Sequence, residues 1–365
     1  MSLQSTAFAI QRFLFPMLEE EIGPLSDNEQ RFVRVVELAH PEQFMSPHAW
    51  LHIGRKPEDR LPIAKAFIAK AVWNFPNTRT LLDYLKHSST LCRLCGWETR
   101  SQIPSESTFS RAFAAFAQYH LPEKIHAAMI QENLGDTLVG HHSRDATAIP
   151  VREKPASKPV FTPELKTPRK RGRPANGQPV EPREPRRLEL QPTRSLKENL
   201  ADLPILCDHG TKRSSQGYKD SWVGYKLHLD VIDGDIPVSA ILTFASVHDS
   251  QVAIPLAQMS AQRVTGLYDL MDSAYDAKEI HAFSRQQGHV PIIDPNPRGG
   301  EKIPLAPARA QRFKQRSSSE RVNSQLKDNF GALFVRVRGA AKVMCHLMFG
   351  VLACAALQIL QRLPG

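Results

Sequence analysis

The chain contains little cysteine, which limits the disulfide and metal sites it can build. Only five cysteines occur among 365 residues, and only Cys92 and Cys95 lie close together. A structural zinc site normally needs a second ligand pair at matching spacing, and the candidates, Cys207 and His209, are far away in sequence. We therefore expect a reduced structural pair rather than zinc, in a reducing cytoplasm.

The sequence also lacks the marks of an exported or membrane-spanning protein. Its first residues, MSLQSTAFAIQRFL, have no charged start, long apolar core or cleavage site, so we expect no signal peptide. An apolar run at residues 343–360 carries His346, Gln358 and several small residues. We expect a helix buried against a sheet there rather than a membrane span.

Acidic side chains are outnumbered by basic ones. The chain has 47 lysines and arginines against 37 aspartates and glutamates, a formal net charge of +10. A soluble protein this basic is expected to meet a polyanion, with nucleic acid ahead of a membrane surface. The alternative is a solvated basic surface without a partner.

The first 130 residues have the apolar spacing of helices. The pattern covers residues 61–72 and returns over 78–85, after Asn77, which suits a helix start. Four later residues form one apolar stripe: Phe109, Ala112, Phe113 and Phe116. We expect an all-α N-terminal domain over 1–130, either a DNA-binding unit with a helix-turn-helix or an ordinary helical bundle.

From residue 131 the pattern alternates between strands and helices. The strand-like runs are LVGHHSRDATAI, WVGYKLHLDVI, IPVSAILTFAS, GLYDLMD and HVPIID. A hairpin turn at Asp233-Gly234 joins the second run to the third. Helical spacing covers residues 251–263, 274–287, 308–328 and 340–360. This order predicts an α/β domain over 131–365, a mixed sheet flanked by helices, and is similar to the ribonuclease H-like fold.

A basic, proline-rich stretch interrupts this domain at about 151–200. It holds about ten prolines and an excess of Lys and Arg, and it has no apolar periodicity. Such a segment buries too little surface to offset its ordering entropy, so we expect a disordered insertion. Within it, Arg171-Gly172-Arg173-Pro174 resembles an AT-hook core, whose Arg171 and Arg173 would bind DNA in a narrow minor groove. The alternative is a plain linker that binds any phosphate.

Two aspartates are notable for their positions in predicted strands. Asp145 lies inside LVGHHSRDATAI, although aspartate is disfavoured in strand interiors. Asp272 ends GLYDLMD, at the carboxyl end of a strand, where α/β sheets usually place their chemistry. Asp269 has the opposite strand parity and should face elsewhere. The structural alternatives are a turn for Asp145 and a helix cap for Asp272, where Ser273 with Asp276 resembles a capping box.

Two other acidic positions follow predicted strands. His248-Asp249 comes after the third strand, and we expect a helix cap at Asp249 rather than contact with metal or DNA. Asp294, at the end of HVPIID, is the substitute if one of the other acids is wrongly assigned.

A third candidate acid, Glu320, lies in RFKQRSSSERVNSQLKDNFG. Steps of three, four and seven residues separate Phe313, Arg316, Glu320 and Lys327. On one helix, at about 100° per residue, the four fall within an arc of roughly 60°. Arg316 and Lys327 would then lie beside a carboxylate and can hold phosphates. The alternative is an exposed, salt-bridged helix face.

The ordered set of motifs resembles a known family. F-x2-R-x3-E-x6-K is similar to the Y-x2-R-x3-E-x6-K signature of bacterial insertion-sequence DDE transposases, and Asp145 in DATAIP and Asp272 in MDSAYD stand where that family has its aspartates. The segments WVGYKLHLD, ASVHDSQ and FVRVRGAAKVMCHLMFG also resemble it, so the resemblance spans roughly 60–362. Phe313 stands in place of the family tyrosine; its ring can still stack on a base, but the hydroxyl is absent.

The resemblance implies an enzyme that cleaves DNA at element ends and transfers the strand into target DNA. Asp145, Asp272 and Glu320 would be the catalytic acids and the ligands of Mg²⁺, with Mn²⁺ as the alternative ion. Arg316 and Lys327 would contact phosphates. The partners would be double-stranded DNA, at terminal inverted repeats and at the target, and further copies of the chain in a homodimer or larger complex, at the nucleoid of a bacterial cytoplasm. A related nuclease and a DNA-binding protein with an inactive core are the alternatives.

Overall fold

The N-terminal part of the chain is helical. The computed structural model describes residues 3–45, 58–156, 184–213, 217–298, 300–301 and 303–362. Its first eight α-helices are α1 (Leu3–Ala9), α2 (Phe15–Ile22), α3 (Asp27–Ala39), α4 (Leu61–Val72), α5 (Thr78–His87), α6 (Ser89–Cys95), α7 (Glu106–Tyr119) and α8 (Leu121–Leu134). The predicted helix at residues 61–72 is confirmed as α4.

Local sequence explains where these helices begin. A capping box opens α3, where Ser26 N donates to Glu29 Oε2 at 2.8 Å. Asn77 caps α5 as predicted, because its side chain accepts from Thr80 N at 2.9 Å. The predicted phenylalanine stripe of α7 is buried, and Phe113 packs against Phe67 of α4 with ring centres 4.8 Å apart. The helices therefore share one aromatic core.

A six-stranded mixed sheet follows these helices. Its strands are β1 (Leu138–Pro150), β2 (Asp208–Arg213), β3 (Lys219–Ile232), β4 (Ile236–Phe244), β5 (Thr265–Met271) and β6 (Val290–Ile293). β3 pairs antiparallel with β1, β2 and β4, whereas β1 and β5, and β5 and β6, are parallel. The predicted turn between β3 and β4 is confirmed, with Gly234 at φ +80° and Asp235 at φ +58°.

Helices cover both faces of this sheet. The remaining helices are α9 (Arg187–Leu190), α10 (Leu196–Asp202), α11 (Ser250–Ala261), α12 (Lys278–Gln286), α13 (Pro307–Phe313), α14 (Ser317–Asn329) and α15 (Ala340–Gln361). α11 and α14 both pack on β3 and β4, and α14 also packs on β1. Ser143 of β1 donates to Ser319 of α14 at 3.0 Å, whereas Ser260 of α11 donates to Asp230 of β3 beside Arg144. Because side chains alternate along a strand, positions 143 and 144 face opposite layers.

The last helix, α15, joins the N-terminal helices to the sheet. It packs against α8, α3 and α4 on one side and β4 on the other, and one buried apolar cluster runs through all of them. The predicted buried helix at the C-terminal end is therefore confirmed. Within the described part of the chain, α15 alone is long and apolar enough to cross a membrane. That is a weak indication, because 78% of its most apolar stretch is buried inside the protein.

Two predictions from the sequence need correction. The expected disordered insertion at about 151–200 extends too far, because α9 and the first residues of α10 fall within it and both helices pack on α11. A capping box between Ser195 and Glu198 opens α10. Residues 157–183 lie outside the described residues, and so do Arg171 and Arg173, for which the minor-groove role stays a prediction.

The single helix expected at residues 308–328 is in fact interrupted. A 3₁₀ turn, Lys314–Arg316, separates α13 from α14. Three serines follow this turn, and two of their hydroxyls bind backbone carbonyls: Ser317 Oγ donates to Lys314 O at 3.0 Å and Ser319 Oγ to Arg316 O at 2.9 Å. Such bonds compete with helical hydrogen bonding, but the residues that flank the turn keep right-handed helical angles and Arg316 still contacts both Phe313 and Glu320.

Candidate active site

Two of the three candidate acids, Asp145 and Asp272, lie side by side. The parallel register of β1 with β5 pairs Ser143 with Leu270. Continuing that register by two residues brings Asp145 level with Asp272, the first residue after β5. Asp145 shares the strand face of Ser143, which contacts α14, and Asn323 of α14 donates to Asp145 Oδ2 at 3.1 Å. The two carboxylates therefore lie on the α14 side of the sheet, close enough for the charge of Asp272 to act on Asp145.

The surroundings of these two acids disfavour their negative charges. Burial raises the pKa of Asp145 to about 6, and the charge of Asp272 acts in the same direction. Burial also raises the pKa of Asp272, with a contribution from the carboxylate of Asp249. Arg316 and Lys212 lower both pKa values without cancelling the increase. Burial thus contributes most to the cost of the two negative charges, a cost that a bound cation would relieve.

Asp272 also caps the turn that follows β5. Its Oδ1 accepts from Ala274 N at 2.9 Å at the start of the 3₁₀ turn Ser273–Tyr275. The capping box expected between Ser273 and Asp276 is wrong, because the Asp276 carboxylate instead accepts from Asn296 N at 3.0 Å. Capping occupies one oxygen of Asp272 and fixes the direction of its carboxylate.

Glu320 is turned toward Arg316. It lies in the first turn of α14 with its side chain 53% exposed, and its Oε1 accepts from Arg316 Nη2 at 2.5 Å. The Arg316 guanidinium lies 5.7 Å from the centre of the Phe313 ring. Among the residues that the structure describes, no three His, Cys, Asp or Glu side chains form a group that could hold a metal ion. Asp145 and Asp272 are thus brought together, and Glu320 is not brought to them.

Two lysines lie in the electrostatic field of the acids. Lys327 is in the last turn of α14; burial and the charge of Lys212 lower its pKa, and the charge of Asp145 opposes this. Lys212 is exposed and lies in β2, a short polar strand that the sequence pattern did not predict. It lowers the pKa of both Asp145 and Asp272. Together with Arg316, these lysines surround the acid pair with positive charge.

A buried charge network lies on the opposite face of the sheet, directly behind Asp145. Arg144 donates from Nε to Asp230 at 3.0 Å and from Nη2 to Asp269 at 2.9 Å. His289 Nδ1 lies 3.0 Å from the same Asp269 oxygen. Although burial opposes it, the charge of Arg144 holds the pKa of Asp269 well below its usual range. Asp269 faces away from the acid pair, as its strand parity predicted, and the network as a whole was missed.

Asp249 does not cap α11. It stands at the N-cap position, but its side chain makes no capping hydrogen bond. Its Oδ1 instead accepts from Lys226 Nζ at 2.9 Å, and its charge raises the pKa of Asp272. His248 Nδ1 lies 2.8 Å from Ser250 Oγ. Asp249 is therefore an acidic neighbour of the candidate site, which the capping prediction missed. Asp294, the substitute acid, directly follows β6, and its backbone N donates to Met271 O.

Known families match both parts of the chain. Residues 145–356, more than half of the chain, match the family described as Transposase DDE domain. The chain belongs to the DDE transposase family. Residues 18–115 of the transposase match a second family, described as Transposase domain (DUF772). No curated protein and no solved structure matches it.

Family membership fixes the broad biochemistry of the transposase. It is an enzyme of DNA transposition and recombination, and DNA binding and a divalent metal ion are properties of its family. Both aspartates of the acid pair and Glu320 fall within the matched residues 145–356. The mixed α/β architecture of those residues is consistent with a ribonuclease H-like DDE domain.

Proposed function

We propose that this transposase cleaves DNA at its element ends and joins the freed 3′-hydroxyl to target DNA, with Asp145, Asp272 and Glu320 as catalytic acids. The observation that carries the proposal is the parallel register of β1 with β5, whose continuation brings Asp145 level with Asp272, just after β5. The F-x2-R-x3-E-x6-K pattern, with its likeness to the Y-R-E-K signature, supports Glu320 as the third acid.

The residues of the acid pair fit a divalent ion. Both carboxylates have a raised pKa, so each is destabilised in its charged form and gains from a cation. Carboxylate oxygens are the ligands that Mg²⁺ prefers, and Mn²⁺ accepts the same donors. When bound, such an ion would activate the attacking oxygen and stabilise the leaving one. Asp145 and Asp272 would hold it, and Glu320 would complete the ligand set.

Arg316 links DNA binding to the position of Glu320. In the DNA-free protein its guanidinium binds the Glu320 carboxylate. A DNA phosphate competes for that guanidinium, because arginine binds phosphate through two parallel hydrogen bonds. Glu320 would then be released to turn toward the acid pair; Asn323, one turn later on α14, already contacts Asp145. Lys327 would hold a second phosphate, and the Phe313 ring would stack against a base.

The rest of the chain would bind and position the DNA. We assign a ribonuclease H-like catalytic domain to 131–365, supported by β1 lying between antiparallel β3 and parallel β5. Residues 1–130 would form an all-α DNA-binding domain, and Arg171 and Arg173 would contact the minor groove. Two element ends must meet one target, so a homodimer or larger complex is proposed, acting on the nucleoid in the cytoplasm.

The test replaces each acid by its amide or nearest neutral residue. We expect Asp145→Asn, Asp272→Asn and Glu320→Gln to bind an element-end duplex as the wild type does, yet to lose Mg²⁺-dependent cleavage by at least about a thousandfold. Asp235→Asn is the matched control, since Asp235 lies in the β3–β4 turn and pairs with Arg321. Full cleavage by Asp272→Asn would refute the assignment. A joined product, seen on a gel with labelled target DNA, separates transposition from plain cleavage.

A further inference from the structure

Lys70 is a buried lysine that has no partner among the residues that the structure describes. It lies in the last turn of α4 and only 8% of its surface is exposed. Among the described residues, no side chain or backbone oxygen accepts a hydrogen bond from its ammonium group, and no acid pairs with it. Burying an unpaired ammonium group is costly, so folded proteins rarely keep one without a reason.

The side chain of Lys70 lines a cavity that opens to the surface. The cavity has a volume of about 370 Å³, and its walls include the first residues of α5 and the segment after α14. Two further cations, Arg79 and Arg336, lie at its exposed edge. One acid, Glu106, also lines it and pairs with Arg79 at 3.5 Å. The described lining therefore carries a surplus of positive charge.

The N-terminus of α5 adds hydrogen-bond donors to this cavity. α5 has ten residues, and Asn77 and Thr78 at its start line the wall. The Asn77 side chain is already used to accept from Thr80 N. The N–H groups of Thr78 and Arg79 have no acceptor within the helix, because the first turn of any helix lacks one. Backbone donors and the positive end of the helix dipole together favour an anion.

We infer that this cavity binds a phosphodiester group of the DNA backbone, held by Lys70 and the N-terminus of α5, with Arg79 and Arg336 at its entrance. The inference rests on DNA binding by the transposase and adds a contact distant in sequence from the acid pair. The volume exceeds that of one phosphate group, which leaves room for the adjoining sugar. His346 also lines the cavity but is neutral, because burial lowers its pKa to about 3.

The cavity lies where the N-terminal helices meet the helix that carries Glu320. Asn74, just after α4, donates to Asp328 O in the last turn of α14 at 2.7 Å. Arg336 follows α14 in the chain and contributes to the cavity wall. A DNA strand held here would therefore be anchored to both parts of the transposase at once.

The experiment measures how DNA affinity depends on salt, without a divalent ion. We expect Lys70→Met to weaken binding by a similar factor for unrelated duplex sequences. The slope of log K against log salt should fall by about 1 in magnitude, as for the loss of one phosphate contact. Lys124→Met is the matched control, since Lys124 is exposed on α8 and the same charge is lost. Lys70→Arg keeps the charge and should keep most of the slope.

Any result other than these counts against a phosphodiester site in the Lys70 cavity. An unchanged slope for Lys70→Met, or an equal change for Lys124→Met, would overturn it. If inorganic phosphate raises the unfolding temperature of the wild type but not of Lys70→Met, while the DNA slopes agree, the cavity binds a free anion and not DNA. Should Lys70→Met fail to fold, Lys70→Gln replaces it in the same comparison. Asp272→Asn, measured in parallel, should keep the wild-type slope, so a failure of the catalytic assignment gives a different result.

Discussion

The guanidinium of Arg144 donates to the carboxylate of Asp269 at 2.9 Å, and both side chains are only 1% exposed. Its Nε donates to Asp230, which is fully buried. One side chain of β1 thereby connects β3 on one side to β5 on the other, one residue before Asp145. Because Asp272 directly follows β5, this network holds together the two strands that position the acid pair.

Removing the arginine should destabilise the fold strongly. Arg144→Met leaves Asp230 and Asp269 buried without their cation, and breaking a buried ion pair in this way costs about 3–5 kcal/mol. Urea unfolding followed by circular dichroism measures the loss. Arg321→Met is the control, because Arg321 is half exposed and its pairing with Asp235 should contribute less than about 1 kcal/mol. Equal losses in the two variants would mean that the network does not stabilise the sheet.

The raised pKa of Asp145 should make stability depend on pH. In the unfolded chain an aspartate has its ordinary pKa of 3.8, whereas in the folded protein the pKa is about 6. The folded state therefore binds more protons between these values, and stability falls as pH rises from about 4 to about 6. Asp145→Asn lacks this step and should be the more stable protein at pH 7.5. Urea midpoints that fall equally in both proteins over this interval would contradict the shift.

A bound divalent ion should offset the loss of stability that the ionised Asp145 carboxylate causes. At ten times its Kd, an ion that binds only the folded state adds about 1.4 kcal/mol of stability. We expect Mg²⁺ or Mn²⁺ to raise the unfolding temperature of the wild type and to have little effect on Asp145→Asn or Asp272→Asn. Differential scanning fluorimetry across an ion titration measures this, with Asp235→Asn as the control that should respond as the wild type does. An equal response in all four proteins would place the ion elsewhere.

Strand position singled out Asp272 and strand parity the opposite-facing Asp269, whereas the choice of Asp145 depended mostly on the order of acids in the family that the sequence resembles. Period-2 alternation and buried apolar runs produce these signals locally. Lys212 could not be found in this way, because β2 is short and polar and lacks any alternation. Arg144 was missed for another reason. Its partners are distant in sequence, and only the strand register brings them together.

The helix that carries Glu320 marks another limit of the sequence pattern. Its spacing correctly predicts helix at Glu320 and Lys327, because both lie in α14. The 3₁₀ turn before α14 is accompanied by serine hydroxyls that bind carbonyls one turn earlier. Apolar periodicity does not predict such bonds. The spacing of Arg316 and Glu320 left a salt-bridged, exposed helix face as the alternative, and the structure has that arrangement, with Glu320 bound to Arg316.

Asn323 should act as a positioning residue for the acid pair. Its Nδ2 donates to Asp145 Oδ2 at 3.1 Å, so Asn323→Ala leaves that oxygen without its orienting partner. Loss of such a contact behind a metal ligand typically lowers metal affinity or activity by about 10- to 100-fold. We expect the Mg²⁺ concentration at half-maximal cleavage to rise while DNA affinity stays the same. Asn329→Ala, at the exposed end of α14, is the matched control. An unchanged Mg²⁺ midpoint with merely reduced stability would assign Asn323 a structural role only.

Lys70 should give the opposite pH dependence to Asp145. Burial lowers its pKa from the ordinary 10.5 to about 8, so between these values the unfolded chain binds more protons than the folded one. Stability contributed by this position therefore rises with pH through that interval. At pH 7 the folded protein carries the full cost of a buried cation, and Lys70→Met should be more stable by on the order of 3 kcal/mol. The difference should shrink as pH approaches 10.5, because the lysine is then neutral in both states.

Urea unfolding of the two proteins at intervals from pH 7 to 10.5 tests this. The arginines and Glu106 around the cavity are common to both proteins, so their effects cancel. Parallel stability curves would show that Lys70 does not lose its proton early and that its ammonium has a partner in solution.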